Sequence, residues 1–184
     1  MSYSQTVQGK KKHPKSGIDH SNGGSEAALI REIRQRAASG VLAGGGLRLG
    51  IGDDCALLRP LPGEELAITT DFSIAGRHFD LDWHPPESIG HRTLARGLSD
   101  LAAMGARPLA AFLSLGLPRE LARPASRESW SWMSRFLDGL LELAAVYRTP
   151  LAGGDLAESP LAVADIVLVG GVPRGTALLR SGAR

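Results

Sequence analysis

The chain has 184 residues, of which 43% are hydrophobic and 22% are charged, and its formal net charge at pH 7 is +2. These values are typical of a globular domain with a hydrophobic core and exclude a chain that is disordered throughout. The single cysteine, Cys55, excludes an internal disulfide, and no apolar run approaches the roughly 18 residues of a membrane span, so we expect a cytoplasmic protein without membrane contact.

The first 24 residues differ in composition from the rest of the chain. Residues 1–24 are rich in Ser, Gly, Lys and His and show no apolar periodicity, so we predict a disordered leader. The lysines at 10–15 leave open a nucleic-acid-binding arm, but only Tyr3 could stack on bases, and we expect no nucleic-acid partner. The folded domain is therefore predicted to cover residues 25–184.

From Ser25 onward, hydrophobic periodicity and turn residues predict alternating helices and strands. Proline near position 86 and Gly105 fit the two ends of a long helix. This order suggests an α+β domain with helices laid on one face of a sheet. The predicted elements are a helix capped by Ser25 and broken by Gly40, strands at 47–51, 55–58 and 66–70, a helix at 86–104, a strand at 109–117, a helix at 126–147 and a strand at 161–169.

Four aspartates share a sequence context, because each lies at the edge of an apolar or glycine-rich segment. The immediate flanks of these residues contain few Arg or Lys side chains that could compensate a carboxylate there. A divalent cation would compensate them together, and oxygen-only ligands favour Mg²⁺ over zinc. Strand-end or helix-cap aspartates remain the alternative for each residue taken alone, so the pattern indicates a metal or oxyanion site and no more. The four residues are Asp54, Asp71, Asp100 and Asp155.

Other local signals are weak. No GxxxxGK[ST] loop occurs, which argues against a P-loop nucleotide site. Glycines at 44–46 and 153–154 would let backbone N–H groups approach a phosphate. His78 fits a packing role as well as a functional one, and we expect Cys55 to be a small buried hydrophobic residue.

Four motifs occur together in one order and spacing, and they carry a family resemblance. The chain resembles thiamine-monophosphate kinases, which belong to the ATP-binding superfamily that includes aminoimidazole ribonucleotide synthetase. The resemblance covers residues 25–184. The motifs are GIGDDCALL (50–58), ITTDFSIAGRHF (68–79), LSDLAAMGARP (98–108) and GGDLAESP (153–160), followed by GTALLRSGAR (175–184).

The resemblance implies a fold, an activity and partners. The fold would be an N-terminal ATP- and Mg²⁺-binding domain with a mixed or antiparallel four-stranded sheet, helices on one face, and sheets that pair across a homodimer. The activity would be transfer of the γ-phosphoryl group of ATP to thiamine monophosphate, giving thiamine diphosphate. The C-terminal domain of the family follows the point where this sequence stops, so we expect little activity from this chain alone. The alternatives are a related ATP-dependent enzyme and a non-catalytic dimerisation or nucleotide-binding module.

The resemblance also assigns roles to individual residues. No catalytic acid or base is implied, because the acceptor phosphate is already anionic. His78 would contact thiamine monophosphate, and Asp53 is a weaker candidate beside the metal ligands. The implied metal ligands are Asp54, Thr69, Thr70, Asp71, Asp100 and Asp155, and the implied ATP contacts are Gly154, Asp155 and Arg180.

Three positions depart from the pattern of the family. Gly97 stands where the helix motif commonly has asparagine, Leu156 where the glycine motif has threonine, and Glu158 where an arginine often follows. These differences remove an amide, a hydroxyl and a cation from the implied phosphate site.

Overall fold

The structure is a computed structural model that describes residues 30–37, 46–122 and 131–182. The predicted disordered leader and the predicted start of the helix at 126–147 lie outside these ranges. Among the described residues, no helix has the length and apolar character needed to cross a membrane. The elements, in chain order, are α1 (30–37), β1 (Leu47–Leu49), β2 (Leu57–Leu58), β3 (Glu64–Ile74), α2 (Pro86–Ala103), β4 (Arg107–Leu117), α3 (Trp132–Val146), β5 (Leu151–Glu158), β6 (Val163–Pro173) and a 3₁₀ turn at Arg180–Gly182.

Four of the strands form one mixed sheet in the order β3-β6-β4-β5. β6 pairs antiparallel with β3 and with β4, and β5 pairs parallel with β4. Parallel neighbours need a crossover connection, which α3 supplies between β4 and β5. β1 and β2 form a separate antiparallel pair. The predicted α+β class with a mixed four-stranded sheet is confirmed.

The two long helices build the core on one side of the sheet. α2 contacts β3, β6 and β4, and α3 packs against α2. The apolar face of α3 is largely buried, as the helical spacing predicts, and it shares one cluster with the inward side chains of the sheet. The hydrophobic helix residues with no more than 1% exposure are Leu94 and Leu101 of α2 and Met133, Phe136, Leu137 and Leu140 of α3.

The helix ends follow from local sequence. Pro86 begins α2, and Gly105 follows its end with a φ of 69°, a left-handed conformation that glycine adopts without strain. Ser131 caps α3, because its hydroxyl accepts a hydrogen bond from the Ser134 N–H at 3.0 Å. The predicted limits of α2 are therefore confirmed to within one residue at its C-terminal end.

Two strand predictions were wrong. β3 does not stop at Asp71 but continues to Ile74, because residues 72–74 keep pairing with residues 163–165 of β6. The predicted elements include no strand between residues 147 and 161, yet Gly153-Gly154-Asp155 lies inside β5 and pairs with β4. Asp71 is thus a mid-strand residue, and glycine content alone did not distinguish an edge strand from a turn.

Side chains of β3 alternate between two environments. Thr69 and Asp71 face α2, whereas the intervening positions lie on the opposite side of the strand. On that opposite side, Leu66, Ile68 and Phe72 are 49%, 66% and 55% exposed. We call this surface of three apolar side chains the open face of β3.

Candidate functional site

The structure brings three of the predicted site residues together in one cavity. Asp54, Gly154 and Asp155 line a cavity of about 550 Å³ where α1, the turn after β1 and the edge strand β5 meet. Asp53 lies in the same lining. We call this the edge cavity; it joins two motifs that are 100 residues apart in the chain.

Local backbone geometry shapes the edge cavity. The Asp54 N–H donates to Oδ1 of Asp53 at 2.9 Å, and the Leu156 N–H donates to Oδ1 of Asp155 at 2.9 Å. Gly154 has a φ of 146°, and a Cβ there would lie 1.8 Å from the carbonyl oxygen of Leu113. Only glycine therefore lets β5 approach β4 at the point where Asp155 enters the cavity.

A second group of predicted residues lines a different cavity. Thr69, Asp100 and Arg180 border a cavity of about 910 Å³ between β3, the end of α2 and residues 177–182. The Thr69 hydroxyl donates to Oδ2 of Asp100 at 2.5 Å. We call this the α2 cavity. It holds a hydroxyl, a carboxylate and a guanidinium group, which together can bind an anion or a hydrated cation.

Asp71 has a partner that its sequence neighbours did not reveal. Its carboxylate forms an ion pair with Arg96 of α2, and Arg96 also donates to the carbonyl oxygen of Phe72 at 2.8 Å. Arg92, one turn earlier, donates to the carbonyl oxygen of His78 at 2.8 Å. The signal in the sequence was the spacing of Arg92 and Arg96. Positions four residues apart share one face of a helix, so both arginines could reach the same neighbouring strand.

His78 lies in the turn that follows β3. The ring Nδ1 of His78 accepts a hydrogen bond from the backbone N–H of Ile74 at 3.1 Å. The backbone N–H of His78 donates to the carbonyl oxygen of Ile74 at 2.9 Å. In the neutral ring the proton is then on Nε2, so that nitrogen can donate to an anionic ligand. The turn thus fixes the orientation of the imidazole, and the assignment of His78 as a substrate contact stays a prediction.

Thr70 faces away from Thr69 and Asp71 and meets a residue that the sequence analysis missed. Its hydroxyl donates to Oδ1 of Asp165 in β6 at 2.8 Å. Asp165 sits at a register position beside Ser114 of β4, which in turn sits beside Asp155 of β5. Asp165 is a carboxylate within the apolar sequence of β6. A carboxylate in an apolar segment is the same feature that identified the other four aspartates.

The predicted metal ligands are thus divided between places in the fold. Within the described residues, no three His, Cys, Asp or Glu side chains are grouped closely enough to hold a metal ion by themselves. The oxygen donors still fit Mg²⁺, which commonly takes one or two carboxylates and completes its coordination with water and substrate phosphates. The metal-ligand assignment stays a prediction.

The structure locates the three positions that depart from the family pattern. A Cβ on Gly97 would lie 2.5 Å from Cδ1 of Leu168, so a larger residue would require this leucine side chain to move. Leu156 packs against the core, and Glu158 is exposed at the end of β5. Gly97 and Leu168 are therefore in close contact in the core, and Leu168 is the register partner of Thr69.

Comparison with protein families identifies the fold family. Residues 52–173 match the model of the AIR synthase related protein N-terminal domain. The chain belongs to this family. The thiamine-monophosphate kinase of Escherichia coli K12 is 41% identical to the chain over 161 residues, which cover 86% of this chain and 45% of that protein. The chain thus spans about half the length of this relative.

Solved structures of the same family resemble the chain in fold. The crystal structure of thiamine-monophosphate kinase from Stenotrophomonas maltophilia K279a matches with a TM-score of 0.65 and 41% identity, over 82% of this chain and 43% of that one. AaThiL complexed with AMPPCP and TMP matches with a TM-score of 0.57 and 27% identity, over 86% of this chain and 45% of that one. The resemblance to thiamine-monophosphate kinases inferred from the four motifs is confirmed.

Proposed function

We propose that this chain is the N-terminal, nucleotide-binding part of a kinase that transfers the γ-phosphoryl group of ATP to thiamine monophosphate. The observation that carries the proposal is the edge cavity, in which Asp54, Gly154 and Asp155 meet from two separate motifs. The 41% identity to the E. coli enzyme supports the same substrate pair.

Transfer of a phosphoryl group to a phosphate acceptor requires that the two groups are positioned and that their negative charges are compensated. The acceptor phosphate is already an anion, so no side chain has to remove a proton to generate a nucleophile. The obstacle is repulsion between the two phosphate groups, which amounts to several kcal/mol even at an effective dielectric near 20. A site that overcomes this obstacle needs cations and fixed hydrogen-bond donors.

The residues of this chain divide that task between the two cavities. Gly154 allows the backbone to lie close to the nucleotide phosphates, and Asp54 and Asp155 would hold Mg²⁺ beside them. In the α2 cavity, Thr69 and Asp100 offer further oxygen ligands and Arg180 offers a cation to ATP. His78 would donate from Nε2 to the phosphate of thiamine monophosphate. When bound, Mg²⁺ supplies neutralisation of the phosphate charges and a fixed alignment for in-line transfer.

The remaining assigned ligands, Thr70 and Asp71, lie on opposite sides of β3, and their part in metal binding belongs to the same proposal. Arg96 already compensates Asp71, so a metal ion there would have to compete with the guanidinium group. Thr70 would act together with Asp165, to which it is hydrogen-bonded.

We also propose that the protein is a cytoplasmic homodimer. The open face of β3 exposes Leu66, Ile68 and Phe72 on an edge strand, and contiguous exposed apolar side chains mark interaction surfaces. Covering these side chains with the same surface of a second copy would remove them from water. Sedimentation at tens of micromolar would detect a monomer and thereby refute this part of the proposal.

Calorimetric titration of ATP in the presence of Mg²⁺ tests nucleotide binding by this chain. We expect Asp155→Asn and Asp54→Asn to weaken ATP binding by at least about tenfold, equivalent to about 1.4 kcal/mol, because each removes one negative charge from the metal ligands. The unfolding temperature should stay unchanged, because both side chains are exposed.

Asp82→Asn is the matched control, because Asp82 is also exposed but lies outside both cavities. Equal ATP affinity in Asp155→Asn, Asp54→Asn and the control would refute the proposed metal and nucleotide site. Formation of thiamine diphosphate from ATP and thiamine monophosphate, assayed with this chain and with one extended past residue 184, tests the whole activity.

A further inference from the structure

Arg34 lies over the edge cavity but has no role in the site described so far. It belongs to α1, and together with Ile30 and Ile33 it forms the part of the cavity lining that α1 contributes. Among the described lining residues it is the only Arg or Lys, whereas Asp53, Asp54 and Asp155 provide three carboxylates. A lone guanidinium group therefore faces a cavity that is otherwise acidic and apolar.

The position of Arg34 is fixed from the other side of α1. Arg36 forms an ion pair with Asp138 of α3 and donates to the carbonyl and hydroxyl oxygens of Ser134 at 2.8 and 2.9 Å. Residues two apart lie on nearly opposite sides of a helix, so anchoring Arg36 to α3 turns Arg34 toward the cavity.

The guanidinium group of Arg34 packs directly on Gly52, in the turn that carries Asp53 and Asp54. A Cβ on Gly52 would lie 2.7 Å from both Cζ and Nη2 of Arg34, and the φ of Gly52 is 129°. The turn therefore accepts the arginine only because residue 52 has no side chain. This contact holds the guanidinium plane beside the motif that is proposed to bind the metal.

The nearby carboxylates do not form hydrogen bonds with the guanidinium group of Arg34. Within the described ranges, Arg34 forms no hydrogen bond or ion pair, and its side chain is exposed. Asp53 and Asp155 instead each accept a backbone N–H from the residue that follows them. The planar guanidinium fork matches the oxygen geometry of a phosphate group and binds it through two parallel hydrogen bonds.

We propose that Arg34 binds the polyphosphate chain of the nucleotide in the edge cavity, whose lining it shares with Gly154 and Asp155. The inference rests on the proposed function, because it assumes that the nucleotide occupies this cavity. Arg34 would bind phosphate oxygens directly, while Asp54 and Asp155 act through the metal ion. Its contribution is therefore to affinity for the phosphate groups and not to recognition of the nucleoside.

The test measures binding of MgATP, magnesium tripolyphosphate and adenosine by calorimetry on the whole chain. Arg34→Gln should weaken the binding of MgATP and of tripolyphosphate by about tenfold or more, the usual consequence of losing a charge-assisted contact. Adenosine binding should stay the same. Arg34→Lys should show a smaller loss, because it keeps the charge and loses the fork.

Arg31→Gln is the matched control, because Arg31 is an exposed arginine of the same helix outside the cavity lining. If Arg34→Gln binds tripolyphosphate as tightly as the parent does, the inference about Arg34 is overturned, whereas the proposed nucleotide site is not. If Arg34→Gln does not fold, Arg34→Lys decides: a threefold loss or more supports the bidentate contact, and unchanged affinity overturns it. If the parent chain binds neither MgATP nor tripolyphosphate, the proposed nucleotide site fails and the inference fails with it.

Discussion

The interface between α2 and α3 and the edge cavity beside β5 differ in how their polar groups are paired. On this helix side, charged side chains are paired across the interface, as Glu87 of α2 is with Arg135 of α3. At the edge cavity, Asp53 and Asp155 bond only to the backbone next to them. In the described part of the chain, no buried side-chain nitrogen or oxygen lacks a partner. The incomplete pairing is therefore confined to exposed groups, where a ligand can reach them.

Packing between elements therefore determines the helix side, whereas the carboxylates of the cavity side stay accessible to a ligand. Substitutions between the helices should change stability without a direct effect on binding. Substitutions at the cavity should change binding with little effect on stability.

The largest expected effect is on stability, at the crossing of the two helices. A Cβ on Gly139 of α3 would lie 1.9 Å from the carbonyl oxygen of Glu87, so the helices must separate to admit it. We expect Gly139→Ala to lower the free energy of unfolding by about 3 kcal/mol, at the upper end of overpacking costs. Urea unfolding measures this change. Gly182→Ala is the control, because a Cβ there meets nothing within 4 Å, and equal midpoints would contradict the close crossing.

The next effect concerns the open face of β3, which is neither packed by the helices nor part of the edge cavity. Ile68→Glu places a charge at the centre of the proposed dimer surface, so the dimer dissociation constant should rise at least about tenfold. Sedimentation measures the dissociation constant. Val146→Glu provides the matched control, because Val146 is 70% exposed at the end of α3. If both variants dimerise as the parent does, the dimer uses another surface.

A smaller effect is expected at Cys55, a kinetic probe of the edge cavity. The expectation that Cys55 is buried was wrong, because its side chain is exposed and lines this cavity. Since it is the one cysteine of the chain, alkylation reports on a single position. We expect saturating MgATP to slow alkylation severalfold, and magnesium alone to slow it much less. An alkylation rate that MgATP leaves unchanged would count against nucleotide binding in the cavity.

Sequence reasoning succeeded where a local rule decides the structure. The ends of α2 follow from Pro86 and Gly105, and the apolar spacing of α3 identified its buried face. Sequence reasoning failed where pairing between strands distant in the chain determines the structure. β3 extends past Asp71 because β6 continues beside it, and the Gly153-Gly154 pair becomes strand because β4 pairs with it.

The candidate site shows the same limit. The motifs predicted a set of site residues, but not that Thr69 and Asp100 would border one cavity and Asp54 and Asp155 another. Neighbours in sequence also gave no hint that Asp71 pairs with an arginine 25 positions later, as the contact with Arg96 requires. Which carboxylates share a site depends on strand register and on the helix face presented to β3, and both are properties of the folded chain.

The smallest effect tests the helix side through pH. Arg135 donates to both carboxylate oxygens of Glu87, at 2.6 and 2.9 Å, and these hydrogen bonds lower the pKa of Glu87 below its ordinary value of 4.5. A lowered pKa means that ionised Glu87 stabilises the folded state above about pH 4.5 and that this contribution is lost as the pH falls toward the lowered value. Arg135 stays charged throughout, because its own pKa is raised by the same hydrogen bonds.

Glu87→Gln should therefore be slightly less stable than the parent at neutral pH and equally stable below the pKa of Glu87 in the folded protein. The difference is small because both side chains are about 40% exposed, and water screens an ion pair at such a surface. Thermal unfolding from pH 3 to pH 7 measures it, with Glu142→Gln on the exposed side of α3 as the control. If the two variants have the same pH profile, the Glu87–Arg135 contact does not hold α2 to α3, and the helix side would depend on apolar packing alone.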